Sequence, residues 1–178
     1  LPVRPRSFVD FYSGIHHAEN VGRMFRPDQP PLLPNYRHIP IGYNGRASTV
    51  RASGRRCQRP NGILRGADGS VVFGPTQELD FELEVGFVLG NDPRPLTAAD
   101  AEDHMLGLCL VNDWSARDVQ RFEYQPLGPF LAKSFHTTVS PYLVTLDALA
   151  PFRCNGMQQD PLPLPHLAQA EPRAFDLR

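Results

Sequence analysis

The sequence has no run approaching the roughly 20 consecutive apolar residues of a membrane helix, and its start, Leu1-Pro2-Val3-Arg4-Pro5-Arg6, lacks the apolar stretch of a signal peptide. A soluble, cytoplasmic chain with no membrane partner is the expectation. An excess of one charge sign is missing too. Charged residues make up 21% and balance to a formal net charge of -1, which argues against a disordered tail and against nucleic acid as a partner. Cysteine is scarce: Cys57, Cys109 and Cys154 are three, an odd number and widely spaced, so neither a disulfide framework nor a cysteine zinc site is indicated and reduced thiols are expected. Internal repeats and low-complexity tracts are also absent.

Proline is what the sequence has in plenty. It takes 19 of 178 positions, where average usage is about 5%, and with 14 glycines it cuts the chain into short segments that disfavour a long helical bundle. One domain, or part of one, fits this length. The chain does not begin with methionine, and it stops on the alternating pattern Ala174-Phe175-Asp176-Leu177-Arg178, which reads as the start of a strand; both ends are taken as cut.

Apolar residues at Ile15, Ala18, Val21 and Phe25 predict a helix over 13–25 capped by Ser13. The prolines at 27, 30, 31, 34 and 40 then enforce a loop. Asn44-Gly45 and Asn61-Gly62 are turn signals, with short strands expected around 47–52 and 70–73. Leu79 to Leu89 alternates without interruption and predicts one strand, with Asp80, Glu82, Glu84 and Gly86 on one face and large apolar residues on the other. Thr97 is expected to cap a helix over 98–107, followed by a buried strand over 108–111 that ends at Asn112 and Asp113. Ser115 is expected to cap a helix over 116–124, which Pro126 and Pro129 stop. Beyond Pro151 no periodicity emerges. The fold class is therefore mainly β with short helices.

Glu82 and Glu84 leave one face of their strand with α-carbons about 6–7 Å apart. They either face open water or share a cation. Asp113, at the end of a buried strand, needs a metal, a cationic group or a capping role. With Asp10 these make four carboxylates, a set suited to calcium or magnesium rather than zinc. Arg117, Gln120 and Tyr124 share one face of the short helix after Asp113, whether as a wet surface or as donors to the site. Lys133 lies in the apolar stretch Phe130 to Phe135, where it must snorkel, pair with a carboxylate or serve an anion. His16 and His17 diverge by about 100° on a helix, so at most one faces the same site, where it would suit a general base.

Taken together, Asp10-Phe11-Tyr12-Ser13, His17-Ala18-Glu19-Asn20-Val21-Gly22, Asp80-Phe81-Glu82-Leu83-Glu84, Asn112-Asp113-Trp114-Ser115-Ala116-Arg117-Asp118-Val119-Gln120 and Tyr124 through Phe135 resemble the fumarylacetoacetase family in order and spacing. The resemblance extends to Asp160-Pro161 and Phe175-Asp176. It implies a mixed β-sandwich roll, incomplete at the C-terminal side, in which residues 1–178 are a partial C-terminal catalytic domain.

By the same resemblance the activity is hydrolysis of the carbon–carbon bond of 4-fumarylacetoacetate to fumarate and acetoacetate, the last step of tyrosine and phenylalanine catabolism, by a homodimer. Asp10, Glu82, Glu84 and Asp113 become calcium ligands, and Asp113, Lys133 and Thr137 touch a second, magnesium site. His17 becomes the base and His16 a bystander. Arg117, Gln120 and Lys133 stabilise charge, while Tyr12, Arg26, Gln120 and Tyr124, with Tyr43 added, bind substrate. Asn44 stands where a histidine is frequent in the family, and His136 where glycine is frequent. The family also carries a small N-terminal β domain and a later catalytic segment, which supplies a glutamate that orients the histidine and a substrate-binding threonine. Two alternatives stand beside this reading: an acylpyruvate hydrolase or related diketo-acid hydrolase, hydratase or decarboxylase, and an inactive metal-binding scaffold.

Overall fold

The computed structural model describes residues 1–90, 96–170 and 173–177. Its elements run β1 (Val9–Phe11), α1 (Ile15–Phe25), β2 (Gly42–Asn44), β3 (Val50–Ala52), β4 (Asn61–Arg65), β5 (Val71–Pro75), β6 (Leu79–Asp80), β7 (Leu83–Leu89), β8 (Met105–Asp113), β9 (Ser115–Ala116), α2 (Arg117–Glu123), β10 (Thr137–Val139), α3 (Leu146–Leu149), β11 (Arg153–Asn155) and β12 (Arg173–Phe175). Short 3-10 turns sit between several of them, one of which, Leu131–Lys133, matters for the site. Among the described residues regular structure is mainly short strands, with three short helices, in keeping with the proline and glycine content.

The largest sheet has the order β3-β10-β8-β7, with β10 parallel to β3 and all other pairs antiparallel. Among the described residues there are also four two-stranded ladders: β1-β2, β4-β5, β6-β9 and β11-β12. A small core of Leu64, Ala116, Val119 and Ala132, with Phe135 against it, packs α2 on the β4-β5 hairpin. Gly62 makes that approach possible, because a Cβ there would stand 2.8 Å from both Val119 methyls. Gly22 does the same for α1, whose backbone lies directly on that of Pro31. The helix and the proline-rich loop are thereby locked together beside the site.

Several local expectations are corrected. Gly14, not Ser13, occupies the N-cap of α1, with no side-chain cap bond. Asn61-Gly62 opens strand β4 rather than turning the chain; the turn falls at Asp68-Gly69, where Gly69 takes φ +83° and Asp68 accepts from the Ser70 amide and hydroxyl. The 47–52 stretch is strand only from Val50, after a 3-10 turn. The long strand over 79–89 is broken after Asp80, so Glu82 lies in the break between β6 and β7. The expected helix over 98–107 is a single 3-10 turn, Ala101–His104, because β8 already begins at Met105. Ser115 does not cap α2; it lies in β9 and donates to the Asp113 carbonyl. Beyond Pro151 the chain forms the β11-β12 pair, tied to Glu102 through Arg153 and Arg173. Of the terminal alternating stretch, Arg178 lies outside the described residues.

Candidate active site

Register builds the acidic centre. In the β7-β8 ladder Glu84 pairs with Val111, which places Asp113, two residues on, along the same sheet face. The β1-β2 pair carries Asp10 opposite Tyr43. The carboxylates of Asp10, Glu84 and Asp113 each bring one oxygen within 4.8 Å of the others. Asp113 is 1% exposed and Asp10 is 9% exposed. The Tyr43 hydroxyl lies 2.7 Å from Asp10 Oδ2 and 3.3 Å from Asp113 Oδ2, and donates to this pair.

Three carboxylates at this spacing, two of them buried and Glu84 half-buried, repel one another. Burial first, then the charges of Asp10, Asp113 and Glu82, pushes the Glu84 carboxyl up to about 8, against the pull of Lys133. Asp113 is likewise raised, by burial above all, although Lys133 opposes the shift. Burial and the two aspartates drive the Tyr43 phenol strongly upward, so it stays a protonated donor. Asp113 Oδ1 is buried with no hydrogen-bond partner among the described residues. An oxygen-only donor set, crowded negative charge and an orphaned carboxylate oxygen fit a hard divalent cation.

Glu82 belongs to a second cluster. His17 Nε2 lies 3.3 Å from its carboxylate, which is ion-paired with Arg117 Nη2 at 2.7 Å and with the Lys133 ammonium. Burial favours its neutral form, but His17, Lys133 and Arg117 together overcome burial and hold Glu82 well below the usual carboxylate range. Lys133 Nζ also donates to Asp113 Oδ2 at 2.8 Å, with its side chain only 4% exposed. Lys133 therefore does not snorkel. It bridges the cationic cluster to the acidic one, from the 3-10 turn Leu131–Lys133.

The remaining predicted residues fall around these clusters. Tyr12 stands edge-on to His17 with ring centroids 5.6 Å apart and donates to the Ala18 carbonyl; burial pushes its phenol up to about 12. Arg26 reaches the Pro31 carbonyl at 2.9 Å, while its Nε is buried without a partner. Gln120 accepts from Arg117 Nη1 at 3.2 Å. Tyr124 packs on Phe25, at the far end of α1 from His17. Thr137 is buried and lies directly opposite Asp113 in the β10-β8 ladder. His16 is exposed, and His136 is buried with Nε2 unpartnered. Asn44 helps line a cavity of about 370 Å³ with Val9, Gly42, Tyr43, Leu127, Pro129 and Phe130.

Asp80 was not singled out in the sequence, yet it accepts from Arg117 Nε at 3.1 Å and fixes the guanidinium that holds Glu82. Its place on the same alternating face as Glu82 and Glu84 was the available signal.

A family model described as fumarylacetoacetate (FAA) hydrolase C-terminal matches residues 6–159. The fumarylacetoacetases of Bos taurus and Homo sapiens are each 49% identical over 181 aligned residues, covering 99% of this chain and 43% of theirs. That of Oryza sativa is 47% identical, covering 99% of this chain and 42% of its own length. The chain thus spans less than half the length of these curated relatives. Among solved structures, a putative HpcE protein from Mycobacterium smegmatis superposes with a TM-score of 0.52 at 22% identity, covering 82% of this chain and 43% of that one. Cg1458 with inhibitor does so with a TM-score of 0.56 at 18% identity, covering 85% and 49%. These two likenesses are of fold alone.

Proposed function

The chain belongs to the fumarylacetoacetate hydrolase family, and on that premise we propose that, within its complete protein, it hydrolyses the carbon–carbon bond of 4-fumarylacetoacetate to fumarate and acetoacetate. The observation that carries this reading is the convergence of Asp10, Glu84 and Asp113 beside a carboxylate, Glu82, held by His17, Arg117 and Lys133. The names of the relatives at 47–49% identity favour this substrate over an acylpyruvate. A homodimer in the cytoplasm, acting in tyrosine and phenylalanine breakdown, completes the reading.

Calcium is assigned to Asp10, Glu82, Glu84 and Asp113, and magnesium to Asp113, Thr137 and the backbone carbonyl of Lys133. A divalent cation, when bound, polarises substrate oxygens and stabilises developing negative charge. His17 is the base: its imidazole takes a proton from water, whose oxygen adds to the carbonyl carbon next to the fumaroyl double bond. The carbon–carbon bond then breaks, its electron pair leaves on the acetoacetate carbon, and that carbon takes up a proton. Arg117, Gln120 and Lys133 supply fixed donors to the charge that develops. Tyr12, Arg26, Gln120 and Tyr124 orient the carboxylate-bearing chain, an arginine fork and phenol hydroxyls being suited to it.

The test is turnover by the complete protein, followed as loss of substrate ultraviolet absorbance with and without a chelator. Divalent-dependent turnover is expected, with a loss of at least about 100-fold in His17→Ala, the usual size of a general-base contribution. Unchanged turnover in that variant would remove His17 from its role. Consumption of acylpyruvates but not of fumarylacetoacetate would reassign the substrate, and cation binding without any turnover would leave a scaffold.

A further inference from the structure

Lys133 is the only lysine in the 178 residues, and its ammonium joins the two halves of the site. What holds it there is not obvious from its own turn. The 3-10 segment Leu131–Lys133 is three residues long, and such a turn has little stability of its own. Its internal bonds are the Lys133 amide to the Phe130 carbonyl at 3.4 Å, the Ser134 amide to the Leu131 carbonyl at 3.0 Å and the Ser134 hydroxyl to the Phe130 carbonyl at 2.5 Å. The turn must therefore be fixed from outside.

On its C-terminal side, Thr49 donates its hydroxyl to the Ser134 carbonyl at 2.8 Å. On its N-terminal side stands Glu123, the last residue of α2. One oxygen of its carboxylate, Oε1, accepts from the backbone amides of both Phe130 and Ala132, each at 2.8 Å. The other acidic residues of α2 and its neighbouring strand are engaged differently: Glu78 pairs with Arg121, Asp80 with Arg117, and Asp118 takes the Thr76 hydroxyl and the Gln77 amide. A carboxylate at a helix C-terminus is disfavoured by the helix dipole, so Glu123 is poorly placed for the helix itself and well placed for the loop.

We infer that Glu123 is a positioning residue that sets Lys133 against Glu82 and Asp113. Helix α2 then controls both strong cations on Glu82. Arg117 reaches the carboxylate directly from the first turn, and Lys133 is set from the last turn through Glu123 and two main-chain amides. The inference rests on the reading of Lys133 as part of the active centre only for its bearing on catalysis; the placement itself is a property of the chain without metal or substrate.

The single lysine makes the test specific. Reductive methylation followed by mass spectrometry reads the reactivity of Lys133 against the N-terminal amine as an internal reference. Freeing the turn from two charge-assisted bonds is expected to speed Lys133 modification by about tenfold or more in Glu123→Ala, with the N-terminal rate unchanged. Glu123→Gln, which keeps a carbonyl acceptor for the same amides, is expected to stay within about twofold of the parent, a rescue that general loosening would not produce. A folded Glu123→Ala chain that modifies at the parent rate overturns the inference. So does a Gln variant as reactive as the Ala variant. Should Glu123→Ala fail to fold, amide hydrogen exchange in the unaltered chain decides: slow exchange at Phe130 and Ala132 supports the two bonds, and free exchange there overturns them. Turnover and cation binding test the catalytic reading separately.

Discussion

Strand β7 has two faces with opposite fates. Glu84 and Gly86 turn inward, Glu84 toward Asp10 and Asp113, while Leu83, Val85, Phe87 and Leu89 stand 75, 38, 57 and 52% exposed. Across the ladder Leu106 and Leu110 are exposed in the same way, while Leu108 between them is buried. An amphipathic strand ordinarily puts its apolar side in and its charges out. Here the carboxylate side is the built one, because other elements bring partners to it: Asp113 from β8, Asp10 and Tyr43 from the β1-β2 pair, and Lys133 from its 3-10 turn. Alternation alone fixes that a strand has two chemically distinct sides. Which side is enclosed depends on what the rest of the chain carries there.

If the carboxylate face is a balanced set of buried charges, removing its cation costs most. Lys133→Met keeps much of the side-chain volume and leaves Glu82 and Asp113 without their shared ammonium. We expect the metal-free chain to lose about 3–5 kcal/mol, the usual cost of orphaning a buried charge, measured by urea unfolding. Added calcium should recover part of that loss. A loss under about 1 kcal/mol would mean that the ammonium is dispensable to this face.

Glu84→Gln should have a smaller and pH-dependent effect. The parent's Glu84 is raised to about 8, so it keeps its proton in the folded chain where the unfolded chain has released it. Its contribution is then fully present below the ordinary carboxylate range and is lost as pH rises through about 8. Glu82, held low, acts in the opposite sense: its contribution is present above that range and is lost on acidification. The metal-free parent should therefore lose stability between about pH 5 and pH 8, and Glu84→Gln should flatten that slope. A divalent cation at about 100 times its dissociation constant should add about 2.7 kcal/mol to the parent at pH 8 and clearly less to the variant. Equal gains in both would remove Glu84 from the cation site.

Much of this centre was legible in the sequence, for identifiable reasons. Glu84 stood out with Glu82 by strand spacing, Asp113 because a carboxylate ending a buried strand requires a partner, and Asp10 only as a fourth to complete the set; the structure brings Asp10, Glu84 and Asp113 together. The alternating face also contained Asp80 and Glu82, but period alone could not foresee the break after Asp80 that frees Glu82 to meet His17, Arg117 and Lys133. Local propensity failed where tertiary contacts won. Asn61-Gly62 is a strong turn signal, yet Gly62 is needed in β4 so that Val119 can close on the hairpin. Ser115 is a good cap residue, yet its hydroxyl is spent on the Asp113 carbonyl. Glu123 carried no signal at all, since its partners are main-chain amides and any sequence presents those.

The other face gives the smallest expected effect and the sharpest check on the contrast. Phe87 is 57% exposed, with its ring on the apolar side of β7. Exchanging an exposed side chain usually changes stability by no more than about 0.5 kcal/mol; with the buried Leu108 opposite it in the ladder, Phe87→Ser should cost no more than about 1 kcal/mol by urea unfolding. Burial of a phenylalanine removes enough apolar surface from water that its truncation costs about 3–5 kcal/mol. A loss of 2 kcal/mol or more in Phe87→Ser would therefore mean that this face is covered in solution. The two sides of β7 would then both be interiors, one closed by the chain's own carboxylates and their cations, the other by apolar contact.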